Sequence, residues 1–115
     1  MSQYRAPLRD MQFVLRELLG IDQHYAKLSG CEEVSDELLS AVMDGGAKFA
    51  ENVLAPLNSV GDEQGCVFAD GEVKTPDGFA EAFAQYAAGG WQGLRLPVAE
   101  GGQGLPPSAG IAVSE

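Results

Sequence analysis

The amino-acid sequence predicts an all-α fold. Three segments repeat apolar residues at the three- and four-residue spacing that gathers them on one face of a helix. Capping residues or glycines stand at the ends of these segments, where a helix begins or stops. We therefore predict helices near residues 11–19, 36–60 and 76–88, the second with a break at Pro56.

The first predicted helix is short and carries a continuous apolar stripe. Its stripe consists of Met11, Val14, Leu15, Leu18 and Leu19. Asp10 is the candidate N-cap, Pro7 disfavours an earlier start, and Gly20 ends the pattern. A helix of this length is marginal alone, so we expect it to pack against another element.

A connector, residues 21–33, follows this helix. His24 and Tyr25 could mark a short helix within it. His24 is the only histidine in the chain, and no Cys, Asp or Glu stands at ligand spacing. We interpret it as a surface or capping residue rather than a metal ligand. Cys31 and Cys66 form no CxxC motif, so free thiols are the favoured interpretation and a disulfide is the alternative.

The second predicted helix is the longest. Ser35 is its candidate N-cap, with two acids in the first turn. The stripe consists of Leu38, Leu39, Val42, Met43, Phe49, Ala50, Val53 and Leu54. Gly45 and Gly46 interrupt the helix propensity and indicate either the close approach of another backbone or a kink. Pro56 predicts a kink or an end near Ala55.

The segment 61–74 is acidic and glycine-rich. Short apolar runs flank Asp70-Gly71, a pattern typical of a β-hairpin. Asp62, Glu63 and Asp70 lack the spacing of a calcium loop, so we interpret them as solvated carboxylates.

The third predicted helix has a strong start signal. Thr75 is a candidate N-cap, Pro76 fits the first helical position, and Asp77 suits the first turn. The stripe consists of Phe79, Ala82, Phe83, Tyr86 and Ala87. An aromatic stripe at this spacing is typical of a buried core.

A glycine-rich stretch, residues 89–104, is the most constrained part of the chain. Gly89 and Gly90 predict the end of the third helix, and Leu96-Pro97 predicts extended backbone. Trp91 and Leu94 are candidate anchors, and we expect Trp91 to be largely buried against the second and third helices. Another helix is expected from 105–108 onward to the end of the chain.

Glycines 101, 102 and 104 could in principle bind an anion through their amides. The loop itself has no Lys or Arg, however, and Glu100 would repel a phosphate, so a structural role is favoured. The chain contains no Ser-His-Asp set, no P-loop and no dinucleotide-binding glycine motif. The sequence therefore predicts no catalytic, cofactor-binding or metal-binding residue.

The charge composition disfavours whole classes of partner. The net charge is −10, which opposes binding to nucleic acid or to an anionic membrane surface. No apolar run approaches the roughly 20 residues that span a bilayer. The first ten residues also lack a signal-peptide core, so we expect a cytoplasmic protein.

Three stretches of the sequence resemble flavin-dependent acyl-CoA dehydrogenases. The run GW-x-GL-x-x-P-x-x-x-GG-x-G, from Gly90 to Gly104, is similar to the loop that closes their N-terminal helical domain, and Ser114-Glu115 matches the helix that follows. The stretch 49–66 resembles the family pattern in which a helix passes a proline and reaches D-x-x-G, here Asp62 and Gly65. Residues 4–18 resemble an N-terminal extension found in a longer subgroup, which includes enzymes acting on 3-(methylthio)propanoyl-CoA.

The resemblance implies an FAD-dependent enzyme that forms an α,β double bond in an acyl-CoA thioester, in fatty-acid or methylthiopropanoate metabolism. Such enzymes pass electrons to an electron-transferring flavoprotein and are commonly homo-oligomers. The family places its flavin site in a middle β-domain and its glutamate base in a C-terminal helical domain, and neither has a counterpart here. The family also has no sheet at the position of residues 61–74, so the resemblance favours an ordered loop there.

We therefore expect residues 1–33 to form the extension and 34–115 to form the N-terminal helical domain, cut before the flavin-binding domain. Alone, this fragment is expected to be inactive and to bind neither FAD nor acyl-CoA. A stand-alone acidic helical interaction module is the alternative.

Overall fold

The computed structural model describes residues 3–115 and confirms a mainly helical chain. The helices within that range are α1 Leu8–Gln12, α2 Ile21–Ala26, α3 Asp36–Phe49, α4 Ala55–Gln64, α5 Phe79–Ala88 and α6 Pro107–Ser114. The strands are β1 Val67–Ala69 and β2 Glu72–Lys74. The all-α prediction is therefore correct for most of the chain but wrong for this small sheet.

Helix α1 begins earlier than predicted. Pro7, not Asp10, occupies the N-cap position, and Asp10 lies in the first turn, where its charge favours the helix dipole. The chain continues as a π-helical stretch, Phe13–Leu18, and ends at Gly20, whose φ of 56° is left-handed. The predicted start of this helix at residue 11 was too late, because proline is tolerated at a helix N-terminus, where its missing N–H costs no hydrogen bond.

The second predicted helix is confirmed at its start. The Ser35 hydroxyl accepts a hydrogen bond from the Leu38 amide at 3.0 Å, so Ser35 is the N-cap. The backbone stays helical through a π-helical stretch, Ala50–Leu54, and then through α4 as far as Gln64. The predicted break at Pro56 is thus a change of helix type. A wider turn just before a proline accommodates its ring and its missing amide without ending the helix.

The two glycines of α3 lie against other elements. A Cβ on Gly45 would stand 3.2 Å from the Trp91 ring, and one on Gly46 would stand 3.5 Å from Val113 of α6. Close approach, one of the two alternatives, is therefore the explanation, although the approaching groups are side chains rather than backbone.

A β-hairpin connects α4 to α5. β1 and β2 are antiparallel, with Phe68 opposite Val73. Asp70 and Gly71 both have positive φ, 53° and 78°, as a type I′ turn requires. The loop expected from the family resemblance is wrong here, and the local Asp-Gly signal prevails.

Helix α5 begins at Phe79, three residues later than predicted. Gly78, with φ 86°, precedes it, and Thr75 caps nothing. Asp77 is held instead by Gln64: the Asp77 amide donates to the Gln64 side chain at 2.9 Å, and Gln64 donates back to the Asp77 carboxylate at 3.2 Å. The end of α5 is confirmed, since Gly90 takes the left-handed conformation just beyond it.

The hydrophobic core joins α2, α3, the glycine-rich stretch and α6. It consists of Tyr25, Leu39, Met43, Leu94, Leu105 and Ala109. Tyr25 is only 3% exposed, and its hydroxyl pairs with that of Ser108, so the connector takes part in the core. The predicted helix after 105 is α6, which packs on α3.

The chain as a whole is flat. Its extents are 55 × 36 × 16 Å, and its radius of gyration is 17.1 Å. A compact domain of this length would have a radius of gyration of about 13 Å. Large apolar side chains such as Phe68, Phe83 and Val98 are at least 70% exposed, so nothing in the described chain covers them.

Candidate functional site

The glycine-rich stretch folds into a loop held by its own backbone. The amides of Gly102 and Gly104 donate to the carbonyls of Pro97 and Leu96, at 3.0 and 2.8 Å. The Gln103 amide donates to the Gly93 carbonyl at 2.9 Å. These bonds draw residues 93–97 against 101–105 and bury Leu94, as predicted, together with Leu105.

The same bonds decide what the loop can bind. The Gly101 amide donates to Val98, so all four amides from Gly101 to Gly104 are used within the loop. A phosphate nest needs free amide donors that converge on one point. The loop offers none, and it is therefore a structural element rather than an anion site.

Trp91 is only partly buried, which corrects the expectation of extensive burial. Its ring lies over Gly45 and Gly46 of α3 and beside Phe49, with ring centroids 6.4 Å apart. One edge lies at Gly89, just past the end of α5. The predicted contact with the second helix is therefore confirmed.

An open groove of about 660 Å³ lies between α4 and α5, and we call it the α4–α5 groove. Its lining residues are Leu54, Leu57, Asn58, Gly61, Asp62, Gly65, Cys66, Pro76, Phe79, Ala82, Phe83 and Tyr86. Phe79 fits closely because residue 61 is glycine, where a Cβ would stand 2.8 Å from the ring.

The aromatic stripe of α5 was interpreted as core, and this is wrong for its outer part. Phe83 is 70% exposed, whereas Ala82 is buried. Sequence reasoning identified the stripe correctly but assumed a partner helix over it. No other helix of the described chain covers this side, so the ring faces solvent.

The chemistry of the groove is that of an apolar docking surface. Its only ionisable lining groups are Asp62, Cys66 and Tyr86. The exposed His24 of α2 is not among them, and neither is any lysine or arginine. The groove can bind apolar side chains, but it lacks the paired acid and base that proton abstraction needs.

The remaining candidate groups do not gather elsewhere. His24 lies at the surface, as predicted, and both cysteines are free thiols. Within residues 3–115 no three His, Cys, Asp or Glu side chains stand close enough to hold a metal ion. In the same range no helix combines the length and apolar character needed to cross a membrane.

The chain is similar along nearly its whole length to a known enzyme. Over 112 residues, 97% of the chain, it is 35% identical to a 3-methylmercaptopropionyl-CoA dehydrogenase of Ruegeria pomeroyi. The chain is homologous to a segment of this dehydrogenase. It spans 19% of the relative's length. No protein-family model matches the chain.

This similarity agrees with the resemblance that the glycine loop carries. Both point to acyl-CoA dehydrogenases, and the relative acts on a methylthio-substituted propanoyl thioester, as its name states. The match covers 19% of the relative's length, which is too little to assign the active site of a whole enzyme to these residues.

Proposed function

We propose that this chain is the N-terminal helical part of an FAD-dependent acyl-CoA dehydrogenase. The observation that carries the proposal is the 35% identity to a dehydrogenase over 97% of the chain. The substrate class is an acyl-CoA thioester, with 3-(methylthio)propanoyl-CoA as the first compound to test. Electron-transferring flavoprotein is the corresponding electron acceptor, and the cytoplasm is the expected compartment.

In this proposal the described residues have a structural role. The amides of Gly101–Gly104 are already bonded, and the α4–α5 groove presents Asp62 but no cation. Neither surface fits the pyrophosphate of FAD, which is anionic and needs donors or positive charge. Hydride transfer is chemistry that the flavin supplies. The part played by this chain is to present helical surface to the segments that hold the flavin.

The flat shape supports this role. Phe79 and Phe83 line an open groove, and Phe83 is 70% exposed, so nothing in the described chain covers this side of α5. Exposed apolar patches of this kind are typical of surfaces that another domain covers. Residues 1–33 would form an extension that packs on the helical domain, through Tyr25 in its core.

The test is to express the complete reading frame that encodes these residues, and the 115-residue chain alone, in parallel. The complete protein should purify yellow with bound FAD and reduce an electron-accepting dye when given 3-(methylthio)propanoyl-CoA. The chain alone should be colourless and inactive. Pentanoyl-CoA, in which a methylene replaces the sulfur atom of the acyl chain, is the matched control substrate for acyl specificity.

Two results would overturn the proposal. A reading frame confined to these residues would favour the alternative, an acidic helical interaction module. A complete protein that binds FAD but does not oxidise any acyl-CoA of the series would remove the dehydrogenase assignment while retaining the flavoprotein one.

A further inference from the structure

A small pocket lies where the end of α5, the start of the glycine-rich stretch and α6 meet. Its volume is about 150 Å³, and we call it the Arg95 pocket. Its lining includes Tyr86 of α5, Trp91, Gln92 and Arg95 of the glycine-rich stretch, and Val113 and Ser114 of α6. The pocket therefore unites side chains of three elements around one positive charge.

The position of Arg95 depends on a glycine of α6. A Cβ on Gly110 would stand 2.8 Å from Cγ of Arg95 and closer still to Cδ, so the aliphatic stem of the arginine lies directly on the α6 backbone. Gly110 is buried beneath this contact, whereas Arg95 as a whole is exposed. The arginine thus packs by its stem and keeps its charged head accessible, as long cationic side chains commonly do.

The charge of Arg95 is not balanced by a neighbouring acid. Arg95 is the only cation of residues 75–115. The carboxylates of the same range are Asp77, Glu81, Glu100 and Glu115. None of them lines the pocket, and within residues 3–115 no carboxylate oxygen lies within 4 Å of an Arg95 nitrogen. The guanidinium group can therefore accept an anion from solution without displacing an internal ion pair.

Neutral hydrogen-bonding groups complete the polar side of the pocket. Tyr86 contributes a hydroxyl group and Gln92 an amide. Gln92 donates one amide hydrogen to the Ala87 carbonyl at 3.3 Å, which leaves its second hydrogen for another acceptor. The Ser114 hydroxyl also lines the pocket, although its proton is already donated to a backbone carbonyl of α6. The pocket thus offers donors to an anion and contains no group that would repel one.

The rest of the lining is apolar and sets the size of the ligand. Trp91 and Val113 supply a hydrophobic wall. A cavity of about 150 Å³ holds a single benzene ring, so the pocket is too small for a nucleotide. The planar fork of a guanidinium group matches the two oxygens of a carboxylate. Together these features fit a carboxylate that carries one ring or a short chain, because a bare phosphate would leave the wall unused.

We propose that the Arg95 pocket binds a small monocarboxylate, with the carboxylate on Arg95 and the apolar body against Trp91. The site goes beyond the proposed dehydrogenase function, since every residue that forms it belongs to this chain and neither flavin nor thioester enters it. The charged contact is exposed to solvent, so binding should weaken as the salt concentration rises.

The test is a nuclear magnetic resonance titration of the ¹⁵N-labelled chain. Trp91 is the only tryptophan, so the spectrum contains a single indole N–H signal, and this signal reports on the pocket directly. Benzoate should shift it with a Kd of about 1 mM. Benzamide has nearly the same shape but no charge, and it should bind about tenfold or more weakly. Inorganic phosphate should also bind more weakly than benzoate.

Three variants separate the site from the general effect of charge. Arg95→Gln should raise the Kd for benzoate by about tenfold or more. Gly110→Ala retains all the side chains that line the pocket but displaces the stem of Arg95, so it should raise the Kd severalfold. Arg9→Gln is the matched control: Arg9 of α1 is also exposed and has no carboxylate within 4 Å among residues 3–115, and its Kd should stay within about twofold of the wild type.

Arg95 and Arg9 are both exposed, so their variants should keep the wild-type circular dichroism spectrum. Equal affinities for benzoate and benzamide would overturn the proposal, because the carboxylate would then not be recognised. Equal weakening in Arg9→Gln and Arg95→Gln would overturn it as well, since net charge rather than the pocket would govern binding. Phosphate that binds as tightly as benzoate, or an indole signal that does not move far above the expected Kd, would also contradict it.

Discussion

Replacing Gly102 with alanine should open the glycine loop. An alanine Cβ at this position would stand 2.5 Å from both the carbonyl carbon and the Cβ of Leu96, and closer still to the carbonyl oxygen. Real Cβ atoms do not approach backbone so closely, and backbone cannot rotate aside as a long side chain can. Residues 96 and 102 must therefore separate.

The expected loss of stability follows from the backbone hydrogen bonds that cross this contact. Separation removes the hydrogen bond from Gly102 to Pro97 and the one from Gly104 to Leu96. Each backbone hydrogen bond contributes about 1 kcal/mol net. Partial loss of packing between Leu94 and Leu105 adds to this, so Gly102→Ala should lower the free energy of unfolding by about 2–3 kcal/mol. This is a large share of the roughly 5–15 kcal/mol that stabilises a typical domain.

The control lies in the same loop. A Cβ on Gly93 would stand 3.6 Å from the Gly102 Cα, an ordinary contact, so Gly93→Ala should change stability by no more than about 0.5 kcal/mol. Urea unfolding can be followed by the fluorescence of Trp91, the only tryptophan, which lies at the start of the loop. Far-UV circular dichroism reports the helices independently. Equal unfolding midpoints for Gly102→Ala and Gly93→Ala would refute the reasoning.

Two further predictions concern side chains of the core and its rim. Trp91→Ala should lower the free energy of unfolding by about 2–3 kcal/mol, below the 3–5 kcal/mol of a fully buried aromatic residue, because the indole is only partly buried. Thermal unfolding checks this against Phe83→Ala, which should change stability little, and an equal effect of the two variants would contradict the prediction. Tyr25→Phe should lower the free energy of unfolding by about 1 kcal/mol because it removes the hydrogen bond to Ser108. Tyr25→Ala should lower it by about 3–5 kcal/mol because it removes the ring as well. Urea unfolding separates the two contributions, and an unchanged midpoint for Tyr25→Ala would mean that the ring is not part of the core.

Features governed by neighbouring residues could be predicted from the sequence. Ser35 caps α3, Gly20 and Gly90 take the left-handed backbone at helix ends, and a helix follows Pro107. These signals are local: a cap or a left-handed glycine acts on the turn beside it, whatever the rest of the chain does.

The candidate site was only half predictable. The apolar stripe of α5 is visible as a period in the sequence, but Phe83 faces solvent rather than a core. Periodicity tells which residues share a face, and it cannot tell whether anything lies over that face. The exposure of the α4–α5 groove depends on which helices pack beside it, and only the tertiary structure shows this.

The sequence by itself determined the main helical stretches, the Ser35 cap, the hairpin turn and the glycine loop, since each depends on backbone preferences within a few residues. Tertiary structure decided where α5 starts, because Gln64 holds Asp77 out of the helix. It also placed Tyr25 in the core, beside a serine 83 positions away. Contacts between residues so distant in sequence leave no local pattern, and only the packed chain brings them together.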